Sequence, residues 1–516
     1  MDSYDEIPYE SDPITETDPD RLAVTGRLFG MESPDPSFCR VLELGCAAGG
    51  NLIPLAWKYP DSRFVGVELS VSQVAAGRNL VERLGLGNID IREENILRLD
   101  ADIGEFDYII CHGIWSWVPD EVRERILDLC ANCLSPEGIA YISYNVLPGW
   151  RHKGMLREML LYHLRGIDAP RERLENAIEY IDFLERASAG LQGMHVDQLK
   201  SQIKRIRETH PSYFYHEYLE TVNEPCLFSD FMQRAESRGL AYLADTELHS
   251  MFPSTIGEEV ESALEGLEDD VTQEQYLDFL VDRAFRQTLL CHGDALKDRV
   301  LDLDQFESFA FYADLTLPRK LDLRRLKSQP FLTPDGEEVG VSHPLAKAAV
   351  AELGRRYPDS IAFSPLGELA RSAVAAAGGG KYAEEMDHFF RELFSLFALQ
   401  HVGASISART FPRAGVRPKL TSLSRALLDE GLDQLVSPRH TTTSLDTLAR
   451  RMAMLLDGKH DADAIITLLI SAITRNPAQF PEWQSSLAKP EQLSAMLGEN
   501  TKRLLALFSR QGLTDA

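Results

Sequence analysis

The run Val41-Leu42-Glu43-Leu44-Gly45-Cys46-Ala47-Ala48-Gly49-Gly50-Asn51 constrains this chain more than any other feature. Apolar residues that suit a buried strand feed a turn of small residues, and an apolar helical stretch follows. In such a turn Gly45 and Gly49 have no side chain to keep a ligand from the backbone. The residues after it repeat the alternation. Strands are expected over 40–44, 63–68, 89–93, 106–111 and 138–145, and helices over 51–58, 71–84 and 120–133. The fold class is therefore α/β, a doubly wound Rossmann-like sheet whose ligands bind beyond the carboxyl ends of the strands.

A glycine-rich strand-to-helix turn also serves dinucleotide enzymes, so the discriminating residue is Glu43. Two positions before Gly45, its carboxylate suits a cofactor that carries an ammonium group and would sit badly against a pyrophosphate. Glu68 ends the second strand 23 positions after Gly45, where a carboxylate can accept both ribose hydroxyls. After the third strand Asn95 can accept from an adenine amino group, and Ile96 can offer its backbone. The expected cofactor is S-adenosylmethionine, bound by Glu43, Gly45, Ala47, Gly49, Asn51, Glu68, Leu69, Asn95, Ile96, Cys111 and His112. Ala47, unlike a glycine, is expected to keep a negative φ.

Chemistry is expected where the fourth strand exits, at Cys111-His112-Gly113-Ile114-Trp115-Ser116-Trp117-Val118-Pro119. A sulfonium already activates its methyl group, so a transferase mainly aligns and desolvates the nucleophile. The Asn/Asp-Pro-Pro-aromatic run of many amide N-methyltransferases is absent. His112, Trp115 and Trp117 take its place, joined by Tyr144 and Asn145 beyond the fifth strand. Aromatic faces attract a lysine ammonium by about 0.5 to 2 kcal/mol each. Attack requires the neutral amine, for which His112 is the candidate base. A packing or loop-orienting role competes for His112, and a lid or core role competes for both tryptophans. Trp150 is expected to pack.

The rest of the chain divides by pattern into a helical region over 151–300, a middle α+β unit over 301–410 with winged-helix character, and a helical unit over 411–516. The first 150 residues form the cofactor domain. Within the middle unit, strand character is expected over 306–315, a hairpin turns at Pro334-Asp335-Gly336, and Gly378-Gly379-Gly380 reads as a flexible joint. With 44% apolar and 26% charged residues the composition is globular. The net charge of −27 opposes nucleic-acid binding, which rests on cations, and the basic residues between Arg319 and Lys327 read as a solvated face. Seven scattered cysteines fit reduced thiols, with Cys130 and Cys133 as core residues and no metal site expected. The longest apolar run, 464–473, falls short of the roughly 20 residues that cross a bilayer, and the acidic start lacks a leader pattern. A cytoplasmic location with no membrane insertion is expected.

With these segments, Tyr4-Asp5-Glu6-Ile7-Pro8-Tyr9, Phe214-Tyr215-His216-Glu217-Tyr218-Leu219 and Phe285-Arg286-Gln287-Thr288-Leu289-Leu290-Cys291-His292, the chain resembles bacterial class I methyltransferases that carry a methyltransferase regulatory domain. Among them it is similar to rickettsial lysine methyltransferases acting on outer-membrane proteins. The resemblance implies that residues 4–20 close over the cofactor, with Tyr9 and Thr17 contributing, and that Gln73 orients it. It also implies homodimerisation through the helical segment after the catalytic domain, and a protein substrate, such as an outer-membrane protein, recognised by the later domains. Asp18 stands where many relatives carry histidine. A methyltransferase for a small or lipid-linked metabolite, or a non-catalytic sensor of S-adenosylmethionine, remains open on the residues.

Overall fold

The computed structural model describes residues 6–7, 11–267, 269–296, 299–480, 483 and 489–515. Its centre is a seven-stranded sheet in the order β3-β2-β1-β4-β5-β7-β6. β1 (Arg40–Leu44), β2 (Arg63–Glu68), β3 (Ile89–Glu93), β4 (Phe106–Cys111) and β5 (Leu134–Asn145) run parallel. Four of the five start and stop where the sequence pattern puts them, and β5 begins four residues early. β1 is buried on both faces after its first residue because helices cover the sheet on each side. The helix Val71–Leu84 shows how locally these boundaries are set. Ser70 caps its first turn through Oγ, and Gly85 closes it in the left-handed conformation at φ 65°.

The sheet is completed from a region read as helical. β6 (Leu240–Asp245) and β7 (Phe285–His292) pair antiparallel to each other, and β7 pairs antiparallel to β5. The first 150 residues thus supply five of the seven strands. A short apolar run such as Leu240-Ala241-Tyr242-Leu243-Ala244 has no period that separates strand from helix, which is why the pattern misassigned it. A buried ion cluster fixes this edge: Arg286 on β7 meets both carboxylate oxygens of Asp278, Glu274 Oε2 at 2.9 Å and Asp245 Oδ2 at 3.5 Å. The guanidinium also lies over the Phe228 ring.

Between β5 and β6 the helices Trp150–His163, Pro170–Ser188, Met194–Glu208 and Pro211–Tyr218 build their own apolar cluster around Leu156, Leu160, Ile181 and Ile203. Beyond the sheet, β8 (Ala310–Tyr312), β11 (Ile361–Ala362) and β12 (Gly403–Ser405) form a three-stranded sheet, shorter than the strand expected over 306–315. The hairpin of β9 (Gln329–Leu332) and β10 (Glu338–Val341) turns at the expected Pro334-Asp335-Gly336, with Gly336 at φ 86°. Gly378-Gly379-Gly380 is no flexible joint. Gly378 is left-handed at the end of the helix Phe363–Ala376, and a Cβ on Gly379 would lie 2.2 Å from the Leu323 carbonyl oxygen.

The C-terminal region is not wholly helical. Short pairs, β13 (Lys419–Leu420) with β16 (Thr514–Asp515) and β14 (Gln434–Val436) with β15 (Thr442–Ser444), interrupt it. Two- and three-residue strands are too short to show alternation in sequence. The helix Ser422–Asp429 packs against the cofactor domain, where Leu423 and Leu427 join Cys46, Ile53 and Val74 in one cluster. Trp57 Nε1 donates to Ser422 Oγ across that contact.

Candidate active site

β1 carries Glu43 next to its carboxyl end, just before the turn, with only 3% of its surface exposed. Asn51 Nδ2 donates to Glu43 Oε1 at 2.9 Å, while Glu43 Oε2 is buried without a partner. Burial pushes the Glu43 carboxyl up to about 7, against the Asn51 hydrogen bond and with help from nearby Glu68. A buried carboxylate oxygen with no donor is a defect unless a ligand supplies one. The ammonium of a methionyl group fits that requirement.

Asn51 Oδ1 meets Ile14 N at 2.9 Å and His440 Nε2 at 2.7 Å, and lies 3.1 Å from Thr17 Oγ1, whose one proton it shares with the Ile14 carbonyl at 2.8 Å. Thr17 therefore reaches the site through Asn51, as part of an N-terminal segment laid over the turn. Ser11 Oγ accepts from Gly50 N in the same segment, and a Cβ on Gly50 would fall 1.7 Å from the Ser11 carbonyl oxygen. Tyr9 lies outside the described residues. Asp18 caps the helix Pro19–Leu28 and binds Lys58 Nζ at 2.5 Å and Tyr59 Oη at 2.7 Å. Burial raises the Asp18 carboxyl, but the Lys58 charge and both hydrogen bonds outweigh it and hold the group below the usual carboxylate range. Its role is structural.

Glu68 stands at the strand end as expected, already engaged. Its Oε1 accepts from Leu69 N and Ser70 N, and its Oε2 from Ala47 N at 3.0 Å. About one acceptor position of the carboxylate is left for a ribose hydroxyl. The Ala47 contact explains a departure from expectation. Ala47 has φ 46°, not a negative value, between Gly45 at 74° and Gly49 at 78°. That left-handed turn aims the Ala47 N–H at Glu68, and a non-glycine residue is held there at some cost in strain. Gln73 is buried in the first turn after Ser70. Asn95 Oδ1 caps Leu97 N at 2.9 Å, which leaves its second lone pair for a further donor. Ile96, half-buried beside it, keeps the backbone position. The Cys111 thiol is fully buried, and burial raises it well above its ordinary value, so it stays a protonated core group.

At the exit of β4 the expected catalytic group separates. Trp115 is 2% exposed and packs edge-on to Phe231 at 5.0 Å, while Tyr144 stacks on Phe231 and shares a hydrogen bond with Thr288 Oγ1. Both belong to the core, because β6, β7 and the helix Phe228–Glu236 cover the face that the sequence left open. Asn145 is also buried: its N donates to Ser116 Oγ, and its Nδ2 has no partner. Trp117 is half-buried edge-on to Trp150.

His112 keeps a site position in company that sequence reasoning missed. Its Nδ1 lies 2.8 Å from Tyr141 Oη, the two rings stack, and Phe285 meets it edge-on. Burial lowers the imidazole to about 4, so it is neutral near pH 7. Tyr141 is also reached by the Gln287 and Ser143 side chains and by the charge of Glu16. Ser143 Oγ accepts from Gly113 N at 2.8 Å and so fixes the loop that carries His112. Gln287 Oε1 in turn accepts from Thr246 Oγ1. Thr246, Glu16 and Gln400 line a cleft of about 210 Å³ whose far wall includes Tyr312, Asp314 and Tyr357 of the middle unit. Alternation along β5 puts Tyr141 and Ser143 on the face opposite Tyr144, a cue available only once β5 has a neighbour. Among the described residues no group of three or more His, Cys, Asp and Glu side chains gathers as a metal site.

Three families match parts of the chain: one described as a methyltransferase domain over 41–138, one as a predicted methyltransferase regulatory domain over 210–292, and one as the PKMT C-terminal winged helix domain over 417–513. A winged helix is thus matched in the last unit, where the sequence pattern indicated only a helical one, and the regulatory match contains β6 and β7. The uncharacterized protein RP789 of Rickettsia prowazekii is 31% identical over 515 residues, covering 98% of this chain and 91% of that protein. RP028 of the same organism is 35% identical over 46% of this chain and 94% of its own length. Among solved structures, PKMT2 from Rickettsia typhi superposes with TM-score 0.84 at 26% identity, covering 98% of this chain and all of that one, and its complex with AdoHcy does so at 25% identity.

Proposed function

The chain belongs to the bacterial class I S-adenosylmethionine-dependent methyltransferases that carry a methyltransferase regulatory domain, and from that premise we propose that it methylates lysine amines of a protein. The observation that carries this reading is the cleft lined by Glu16, whose charge acts on Tyr141, the hydrogen-bond partner of His112. The Glu16 carboxylate in that lining attracts an alkylammonium, and a cleft shared with the middle unit has room for a side chain still attached to its protein. The similarity to PKMT2 supports the same acceptor class.

Bound S-adenosylmethionine supplies a methyl group already activated by the sulfonium. In the proposed arrangement Glu43 Oε2 takes the ammonium of the methionyl end, Glu68 accepts from the ribose, and the turn at Gly45, Ala47 and Gly49 carries the backbone contacts. Tyr141 and His112 orient the incoming amine. An imidazole lowered to about 4 is a weak base, so the acceptor proton leaves through the open cleft and His112 positions the nucleophile. Exposed Tyr162, Phe183 and Met194 on the helical segment support the homodimer implied by the resemblance.

Incubation of the full-length chain with methyl-labelled S-adenosylmethionine and candidate cell-surface and cytosolic proteins tests the acceptor. Label recovered as methyllysine after hydrolysis is expected. Label found only on small molecules overturns the protein acceptor.

A further inference from the structure

The turn between β14 and β15 wedges the C-terminal unit between two others. Ser437 N donates to the Thr441 carbonyl, Ser437 Oγ meets Thr441 Oγ1 at 2.7 Å, and His440 sits at the tip with φ 60°, a left-handed value uncommon for a residue with a Cβ. Arg439 points to the middle unit, with its Nε and Nη2 on the Pro358 carbonyl, its Nη1 on Ser405 Oγ and its guanidinium over the Tyr312 ring. His440 points the other way, into the cofactor domain, and is 1% exposed. Thr15 Oγ1 donates to the His440 carbonyl, so the N-terminal segment is clasped by the same turn.

The polarity of the contact with Asn51 is determined. Ile14 N–H can only donate, so the Asn51 atom it meets, which also faces His440, is the accepting Oδ1; Nδ2 faces Glu43, and His440 Nε2 carries the proton. Burial lowers the ring to about 3 even though Asp18 pulls the other way, which keeps that tautomer neutral. We propose that His440 is a positioning residue for methyl transfer: reaching in from the C-terminal unit, it fixes the Asn51 amide and through it aims Glu43 at the methionyl end of the cofactor. The winged-helix unit is thereby part of the donor site, whatever the acceptor is. Arg439 gives the same turn a hold on Tyr312, so cofactor seating and one wall of the acceptor cleft share a support.

A ligand without an amino-acid end separates this role from a structural one. Full-length His440→Phe, which keeps the bulk without the donor, and His440→Gln, which returns an N–H near the Nε2 position, are titrated with S-adenosylhomocysteine and with methylthioadenosine. The Phe variant is expected to bind S-adenosylhomocysteine about fivefold more weakly, the worth of one hydrogen bond. Its affinity for methylthioadenosine changes by less than about twofold, and the Gln variant recovers most of the loss. Equal weakening for both ligands, or for neither, overturns the proposal. If His440→Phe does not fold, hydrogen exchange of the wild-type chain decides: the amides of residues 437–441 are protected more by S-adenosylhomocysteine than by methylthioadenosine, and equal or absent protection overturns it.

Discussion

The two ends of the proposed active site are built on opposite plans. At the donor end Glu43, Asn51 and Thr17 are buried, their hydrogen bonds interlock, and one carboxylate oxygen is left over for the ligand. At the proposed acceptor end His112 is half-buried against Tyr141, and half-buried Glu16, whose charge acts on that tyrosine, lines a cleft whose walls come from six separate stretches of chain. A ligand of fixed shape rewards a preorganised pocket, because little ordering is left to be done on binding. A macromolecular acceptor needs access, and its affinity is spread over surfaces far from the reacting atom. Damage to the donor end should therefore be large and confined to cofactor affinity, whereas damage to the acceptor end should be small and appear in turnover or acceptor KM.

The sharpest break is Glu43→Gln. The amide keeps the shape and the Asn51 contact but removes the charge that meets the ammonium. Loss of a charged hydrogen bond of about 1.5 to 3 kcal/mol weakens S-adenosylhomocysteine roughly 10- to 150-fold by calorimetry. An unchanged affinity would remove Glu43 from the donor site. Thermal stability should not fall, because a neutral amide is cheaper to bury than a carboxylate.

The same residue gives the second-largest effect without a mutation. In the unliganded fold the Glu43 carboxyl is raised from 4.5 to about 7, so the folded chain holds a proton that the unfolded chain releases. Its burial then costs the folded state progressively more as pH rises from about 4.5 to about 7, and the unliganded protein should lose stability over that interval. An ammonium ligand needs the ionised form. Affinity for S-adenosylhomocysteine should fall roughly twentyfold over two pH units below about pH 7.5, with proton release on binding in between. A flat profile would show that Glu43 is already ionised before the ligand arrives.

The contrast also explains what could be read from the sequence. The donor end is nearly contiguous: Glu43, Gly45, Gly49 and Asn51 lie within one strand and turn, and Glu68 ends the next strand, so residue type and spacing reveal it. Ala47 escaped because its left-handed φ is imposed by a hydrogen bond to Glu68, a long-range effect that steric preference does not foresee. His440, 389 positions from Asn51, leaves no trace in local pattern. At the acceptor end the candidates Trp115 and Tyr144 were drawn from the right strand exits. Which face of the sheet stays open, however, is decided by β6 and β7, two strands hidden in a helical stretch. Their burial made core of the expected site and left Tyr141 to meet His112.

On the acceptor side Tyr141→Phe should act on turnover. The substitution keeps the stacked ring and removes the hydroxyl that holds His112 Nδ1. A loss of about 1 to 1.5 kcal/mol in alignment lowers kcat roughly fivefold to tenfold, with S-adenosylhomocysteine affinity unchanged in a parallel titration. A matching loss of cofactor affinity would place Tyr141 at the donor end and dissolve the contrast.

The smallest effect belongs to Glu16→Gln. Glu16 is half-buried at the cleft, so water screens much of its attraction for a cation. The acceptor KM should rise about threefold and kcat should change little, which corresponds to the 0.2 to 1 kcal/mol of a solvent-facing charge pair. Added salt should erase the difference between variant and wild type, since it screens that pair and leaves the buried Glu43 contact nearly untouched. A KM effect that survives high salt would mean that bound acceptor seals the cleft and buries Glu16. The acceptor end would then become as closed as the donor end once both ligands are in place.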